Sequence, residues 1–305
     1  MNANVKTTIL AQNVDTREGF IIALTTYLLW GFLPFYMKAV AHIPAAEVVA
    51  HRIVWSVPIA GAIILLSGKM TEIRRALSSP RTVALAALTA SIITVNWGIY
   101  VWSIAAGRAL ESALGYYINP LFSIFLAAVI LGEKLAKLQI AAVLLAAVAV
   151  AFLTLETGSL PWVSVGLTIS WGIYALFKKT LAVGATEGFF LEVLLLCLPA
   201  AGYILWLETQ GRGHFMETGA TDTALLLFAG VVTAIPLIMY AHGAKLLRLS
   251  TIGIMQYIAP TMIFVIAVFI FGEPFGWYRM VAFVLIWTAL ALYSFSLFRN
   301  RARRI

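Results

Sequence analysis

Residues 100–133 read "YVWSIAAGRALESALGYYINPLFSIFLAAVILGE", and residues 240–273 read "YAHGAKLLRLSTIGIMQYIAPTMIFVIAVFIFGE". Laid over each other without a gap, they match at scarce residue types. Tyr100 falls on Tyr240, Arg108 on Arg248, Tyr117 on Tyr257, Pro120 on Pro260, and Gly132-Glu133 on Gly272-Glu273. With a slip of one residue, "WGFLPFYMK" (30–38) falls on "WGIYALFKK" (171–179), and Pro58 on Pro199. The chain is two copies of one unit, and the nature of that unit decides the fold.

Both stretches are almost free of polar groups, and the rest of the chain resembles them. Of 305 residues, 62% are hydrophobic and 11% charged. A soluble domain has roughly 45–50% apolar and about 25% charged residues. A bilayer span needs roughly 20 consecutive apolar residues, and the sequence predicts ten such spans. They lie at 19–40, 45–67, 82–104, 109–131, 135–155, 160–181, 186–207, 222–243, 249–271 and 277–298. The runs do not alternate as barrel strands would. The expected fold is an all-α polytopic membrane protein with two five-helix repeats, 19–155 and 160–298, flanked by tails at 1–18 and 299–305.

Orientation follows from lysine and arginine, which accumulate in cytoplasmic loops. One side holds Lys6, Arg17, Lys69, Arg74, Arg75, Arg81, Lys134, Lys137, Lys178, Lys179, Lys245, Arg248, Arg299, Arg301, Arg303 and Arg304. The other holds only Lys38, Arg108, Arg212 and Arg279, while Arg52 lies within a span. Both termini are therefore expected in the cytoplasm, beneath a bacterial inner membrane. Five spans per copy invert the second copy, which puts Arg108 outside and Arg248 inside. Inverted repeats are a hallmark of many secondary transporters, whose substrate sites lie near the midplane at the repeat interface.

Other classes fit less well. The net charge of +8 sits in short loops, as insertion demands, so no nucleic-acid partner is expected. A single cysteine, Cys197, allows no intrachain disulfide, and four scattered histidines suggest no metal. No cofactor is expected. The first 18 residues are too polar for a secretory leader, so the first span is read as retained. No phosphate-binding G-x-x-x-x-G-K-[ST] loop is present, so ATP is not the direct energy source. A membrane-embedded enzyme acting on a lipid-type substrate is the alternative class, and sparse His, Asp and Cys argue against it. A non-transporting structural or channel protein has no need of an inverted repeat.

Five blocks carry a resemblance: "VVAHRIVWS" (48–56), "NWGIYVWSI" (96–104), "ESALGYYINPL" (111–121), "LSTIGIMQYIAPT" (249–261) and "FGEPFG" (271–276). They resemble the RarD proteins of the EamA branch of the drug/metabolite transporter superfamily, from about Gly19 to the last span. The resemblance implies a ten-helix inner-membrane permease that exports or exchanges small metabolites or drugs, with a family label linked to chloramphenicol.

Polar groups within spans are functional candidates, because they are costly there and usually face the bundle interior. Glu47, His51 and Trp55 lie four apart on one helical stripe, and His51 is a candidate for the cavity wall. Arg52 is read either as the holder of a substrate anion or as a snorkelling or paired cation. Asn96 and Tyr100 share a face and suit a polar, aromatic cavity wall, or else bonding between helices. Trp30 and Tyr116 stand beside glycine or proline breaks, and Tyr240 is the repeat counterpart of Tyr100. Pro120 would free the carbonyl of Tyr116, and Pro260 that of Gln256, so the two prolines are read as symmetric hinges. Asn119 faces Ala259 in the repeat and is a candidate contact in one half only.

Glu192 and His51 are candidates for proton coupling. Glu187 is read as interfacial, His242 and Lys179 as interface anchors, and Glu133 and Glu273 as caps or partners of loop cations. Spans one, three, four, six, eight and nine are expected to enclose the cavity. Spans five and ten are expected at the periphery, offering a homodimer surface.

Overall fold

The computed structural model of the chain describes residues 15–131, 135–178, 181–247 and 249–302. Residues 1–14 and 303–305 of the tails, together with Glu133, Lys134, Lys179 and Arg248, lie outside the described residues. The described chain is helical with no strand. This is the form that satisfies backbone groups within each segment where no water is available.

The helices are α1 (Arg17–Ala39), α2 (Ala45–Leu66), α3 (Met70–Leu77), α4 (Pro80–Ala105), α5 (Ala109–Leu131) and α6 (Lys137–Thr157). They continue with α7 (Trp162–Lys178), α8 (Ala185–Thr209), α9 (Ala220–Gly243), α10 (Leu249–Met255), α11 (Ile258–Val265) and α12 (Trp277–Ala302). Among the described residues nine segments are long and apolar enough to cross a bilayer, α10 and α11 counting together. The sixth expected span, α7, is shorter, with 17 described residues. The count of ten is thus approximate, while each expected span has a helix.

Local sequence sets the ends. Thr16 caps α1 by accepting the Gly19 amide at 3.0 Å. Ser79 caps α4, with Pro80 at its first position, where a missing amide costs nothing. Gly158 ends α6 at φ 65°, a left-handed turn that favours glycine. The connection "GKMTEIRRALSSPR" contains the short helix α3, whose Ile73 and Ala76 are buried while Glu72, Arg74 and Arg75 are exposed. Its basic composition hides an amphipathic i, i+3 stripe.

The two prolines behave differently. Helix α5 runs unbroken through Pro120. The ninth span breaks at Gln256-Tyr257, just ahead of Pro260, and resumes as α11 followed by a π turn at Ile266–Ile270. Gln256 Nε2 donates to the Gly253 carbonyl at 3.0 Å, so the Tyr257 amide turns to Ile254 at 3.2 Å. A side chain competing for a backbone carbonyl ends the regular ladder there, and the proline alone does not.

Helix pairings repeat across the two copies. Helix α2 packs on α8, α5 on α11 and α6 on α12, each on its own counterpart. Helix α1 packs on α9 and α11, and α7 correspondingly packs on α4 and α5. Likewise α2 meets α9 and α4 meets α8. This is the pattern that a two-fold relation between halves produces. Small residues allow the closest approaches. A Cβ on Gly230 would lie 2.3 Å from the Trp55 carbonyl oxygen, and one on Gly115 2.8 Å from that of Ser164. Leu66, Leu155, Leu198 and Phe269 are exposed on the outside, as suits a lipid-facing surface.

Polar contacts tie the halves together at one end of the bundle. Glu273 accepts the backbone amides of Ala109 at 2.6 Å and Leu110 at 2.9 Å, and so caps a helix of the other repeat. Burial raises its carboxyl above the ordinary glutamate range, with the two amides pulling against that shift. His42 pairs with Asp222 at 2.9 Å and His214 with Glu47 at 2.8 Å. At the opposite end, Lys69 pairs with the buried Glu187, and the Thr16 amide donates to the Leu246 carbonyl at 3.2 Å.

Candidate functional site

A cavity of about 160 Å³ lies between the two halves. Helices α1, α2, α4 and α5 supply Trp30, Arg52, Asn96, Tyr100, Tyr116 and Asn119 to its wall. From the second copy come Trp171 of α7, Thr233 and Tyr240 of α9, and Gln256 and Pro260 around the break. Several of these are counterparts under the repeat: Trp30 and Trp171, Tyr100 and Tyr240, Tyr116 and Gln256, Asn119 and Ala259. The cavity is a nearly two-fold shell with unlike groups on its matched positions.

Among the described residues, Arg52 is its one charged wall residue. The side chain is buried at 4% exposure, donates from Nε to Thr233 Oγ1 at 2.9 Å, and lies 4.8 Å over the Trp97 ring. Among the described residues no carboxylate pairs with it, and its Nη1 has no hydrogen-bond partner. Thr233 is held in turn by donating to the Ala229 carbonyl at 2.7 Å. The repeat counterpart of Arg52, at a shift of 141, is Val193.

The remaining polar groups divide into used and unused. Asn96 donates from Nδ2 to the Leu167 carbonyl at 3.1 Å and to Ser170 Oγ at 2.8 Å, joining α4 to α7. The Tyr100 hydroxyl and Asn119 Oδ1 are buried without partners. The Tyr100 and Tyr116 rings lie 5.7 Å apart. Across the cavity, Tyr27, Trp30 and Tyr240 form a continuous aromatic wall, with ring centroids 5.4 to 6.1 Å apart.

Four ionisable candidates lie elsewhere. His51 points away from the cavity; its Nδ1 accepts from Trp55 Nε1 at 3.0 Å, and its ring packs on Phe215. Glu47, on the same stripe, is taken by His214. Glu192 is buried against Lys178 at 2.6 Å and accepts from the Tyr174 hydroxyl at 3.3 Å. Glu187, read as interfacial, lies in the first turn of α8 at one end of the bundle, buried in the protein and paired with Lys69. Pro120 does not line the cavity, and Pro260 does.

Tyr27, Trp97, Trp171 and Thr233 were absent from the expected wall. The repeat carried the signal for Trp171, which falls on Trp30, and Tyr27 lies one turn before Trp30. A threonine in an apolar span gives no such signal.

The sequence model of the EamA-like transporter family matches residues 17–155. The RarD protein of Streptomyces exfoliatus is 39% identical over 95% of this chain and 92% of its own length. That of Salmonella typhimurium is 38% identical over 92% and 95%. The chloramphenicol-sensitive protein RarD of Pseudomonas aeruginosa is 30% identical over 94% and 98%. A crystal structure 18% identical in sequence superposes with a TM-score of 0.59, covering 92% of this chain and 98% of that one, and shows the fold alone. Similarity of this extent over nearly the whole length decides the family: the chain is a RarD-like member of the EamA-like transporters, a multi-pass membrane transporter of the drug/metabolite superfamily.

Proposed function

We propose that the protein is a secondary transporter that moves a small metabolite or drug across the inner membrane by alternating access, with the central cavity as its substrate site. The observation that supports this reading best is the site itself. It is a cavity at the interface of two inverted halves, holding a buried arginine with no described counter-charge. A buried charge is costly and marks a functional position by default. The near-equivalence of the halves supplies two similar packings, one open to each side. The basic bias puts both termini in the cytoplasm. Substrate enters there, and the tied end that holds Glu273, His42 and His214 faces outward.

Proton exchange is the coupling we assign, with Glu192 and His51 as the titrating groups. Neither touches the cavity, so they act on the halves and not on the solute. The deciding experiment is a metabolite and drug screen in inverted vesicles or proteoliposomes, with and without a pH gradient. Uptake of at least one solute should appear, and both Arg52→Ala and Asn119→Ala should reduce it. Intact uptake in both variants would move the site out of the cavity. Uptake indifferent to collapse of the gradient would remove the proton.

A further inference from the structure

We infer that the solute is a small monocarboxylate carrying one planar apolar ring, bound with its carboxylate on Arg52 and its ring against the Tyr27–Trp30–Tyr240 wall. This rests on the reading of the cavity as the substrate site, and it adds the charge, size and polarity of what enters.

Charge comes first. Among the described residues Arg52 is the one charged group lining the cavity, and Glu47, a carboxylate on its own helix, is already held by His214. The wall therefore carries a single positive charge. A monoanion neutralises it, a dianion overshoots, and a neutral or cationic solute leaves a buried guanidinium uncompensated. The guanidinium fork is built to grip a planar carboxylate with two N–H groups. Nε is spent on Thr233, while Nη1 has no partner. The unpartnered Tyr100 hydroxyl on the same wall offers another donor.

Size and polarity follow. The volume of about 160 Å³ compares with the roughly 150 Å³ apolar cavity that accepts one benzene ring. Tyr27 meets both Trp30 and Tyr240 edge to face, and Trp30 and Tyr240 pack tilted at 45°, so the three present a largely apolar packed surface and not a cage with room for an ammonium group. No carboxylate on the wall is available to hold an amine either. An aromatic acid without an amino group fits better than its zwitterionic relative.

The test uses the full-length protein in detergent, with benzoate, benzamide, benzylamine and 2-naphthoate as probes. Binding is read from tryptophan fluorescence, since Trp30, Trp97 and Trp171 line the cavity, and from thermal stabilisation. Benzoate should bind, benzamide should bind at least about tenfold more weakly because the arginine stays unpaired, and benzylamine and 2-naphthoate should not register. Arg52→Met should erase the preference for benzoate over benzamide, and Arg52→Lys should restore part of it. Because Arg52→Met removes an uncompensated buried charge, that variant should fold and melt no lower than the native protein. Equal binding of benzoate and benzamide, tighter binding of benzylamine or 2-naphthoate, or a preference that survives in Arg52→Met would overturn the inference. Uptake of uncharged solutes without benzoate binding would sink it and leave the transporter reading standing. Benzoate binding without uptake of any solute would do the reverse.

Discussion

Two cations turned toward the interior, the partly buried Lys178 and the buried Arg52, lie in opposite halves, and the protein treats them in opposite ways. Lys178, at the end of α7, has 20% of its side chain exposed; Glu192 lies 2.6 Å away, with the Tyr174 ring 5.4 Å from the ammonium. Arg52, on α2, is more deeply buried, yet it has a hydroxyl and an indole face in place of a carboxylate. The first is a closed pair that neutralises itself. The second lines a cavity and has a nitrogen, Nη1, without a partner. A charge whose partner comes from the same chain is compensated at rest, whereas a charge without one is costly until a partner arrives.

The largest effect that separates the two should come from Glu192→Ala. It leaves Lys178 uncompensated, and thermal or denaturant unfolding in detergent should show a loss of about 3 kcal/mol. Adding Lys178→Met should return most of that loss; a double variant no better than the single would mean that the pair is not the source. Arg52→Met should move stability the other way, by about 1 kcal/mol upward, because no ion pair is broken. Uptake in vesicles should meanwhile fall below about a tenth of the native rate, since a charge-assisted contact is worth roughly 1.5–3 kcal/mol. A stability loss comparable with that of Glu192→Ala would show that Arg52 is also a structural cation.

Smaller effects test the margins of the contrast. Glu273→Ala should lose about 1 kcal/mol in the same unfolding measurement, as for other lost helix caps, and Glu273→Gln should keep part of the contact. Asn119→Ala should change stability by less than about 0.5 kcal/mol, because its Oδ1 holds nothing. Uptake should still fall about threefold if that oxygen meets the solute. Unfolding data that place Asn119→Ala beside Glu273→Ala would assign Asn119 to packing instead.

Much of this was legible in the sequence. Apolar runs of bilayer length gave the spans, and the shifted self-match gave the two copies; that the counterparts α2 and α8, α5 and α11, and α6 and α12 pack on each other is a finding of the structure. The match also brought Tyr100 and Tyr240 to one cavity, since counterparts related by a two-fold meet near its axis. The same logic applied to Trp30 would have found Trp171. Lys178 was harder. Counting basic residues by side treats each as a loop charge, and nothing local distinguishes Lys178, turned inward to Glu192, from its neighbour in sequence. Thr233 becomes visible only once α9 is laid against α2. The break before Pro260 depends on which carbonyl the Gln256 side chain takes, a contest that the proline alone does not reveal.

The cap from Glu273 onto Ala109 and Leu110 has a further consequence. Its acceptor stands on the connection from α11 to α12, and its donors stand on the first turn of α5, in the other copy. Any motion that parts these ends must release a carboxylate and bare two amides at the positive pole of a 23-residue helix. Parting that end would thus leave a locally electropositive rim of bare amides, and bringing it back would return both amides to a side chain of the protein's own, so a single glutamate acts as the latch of that end.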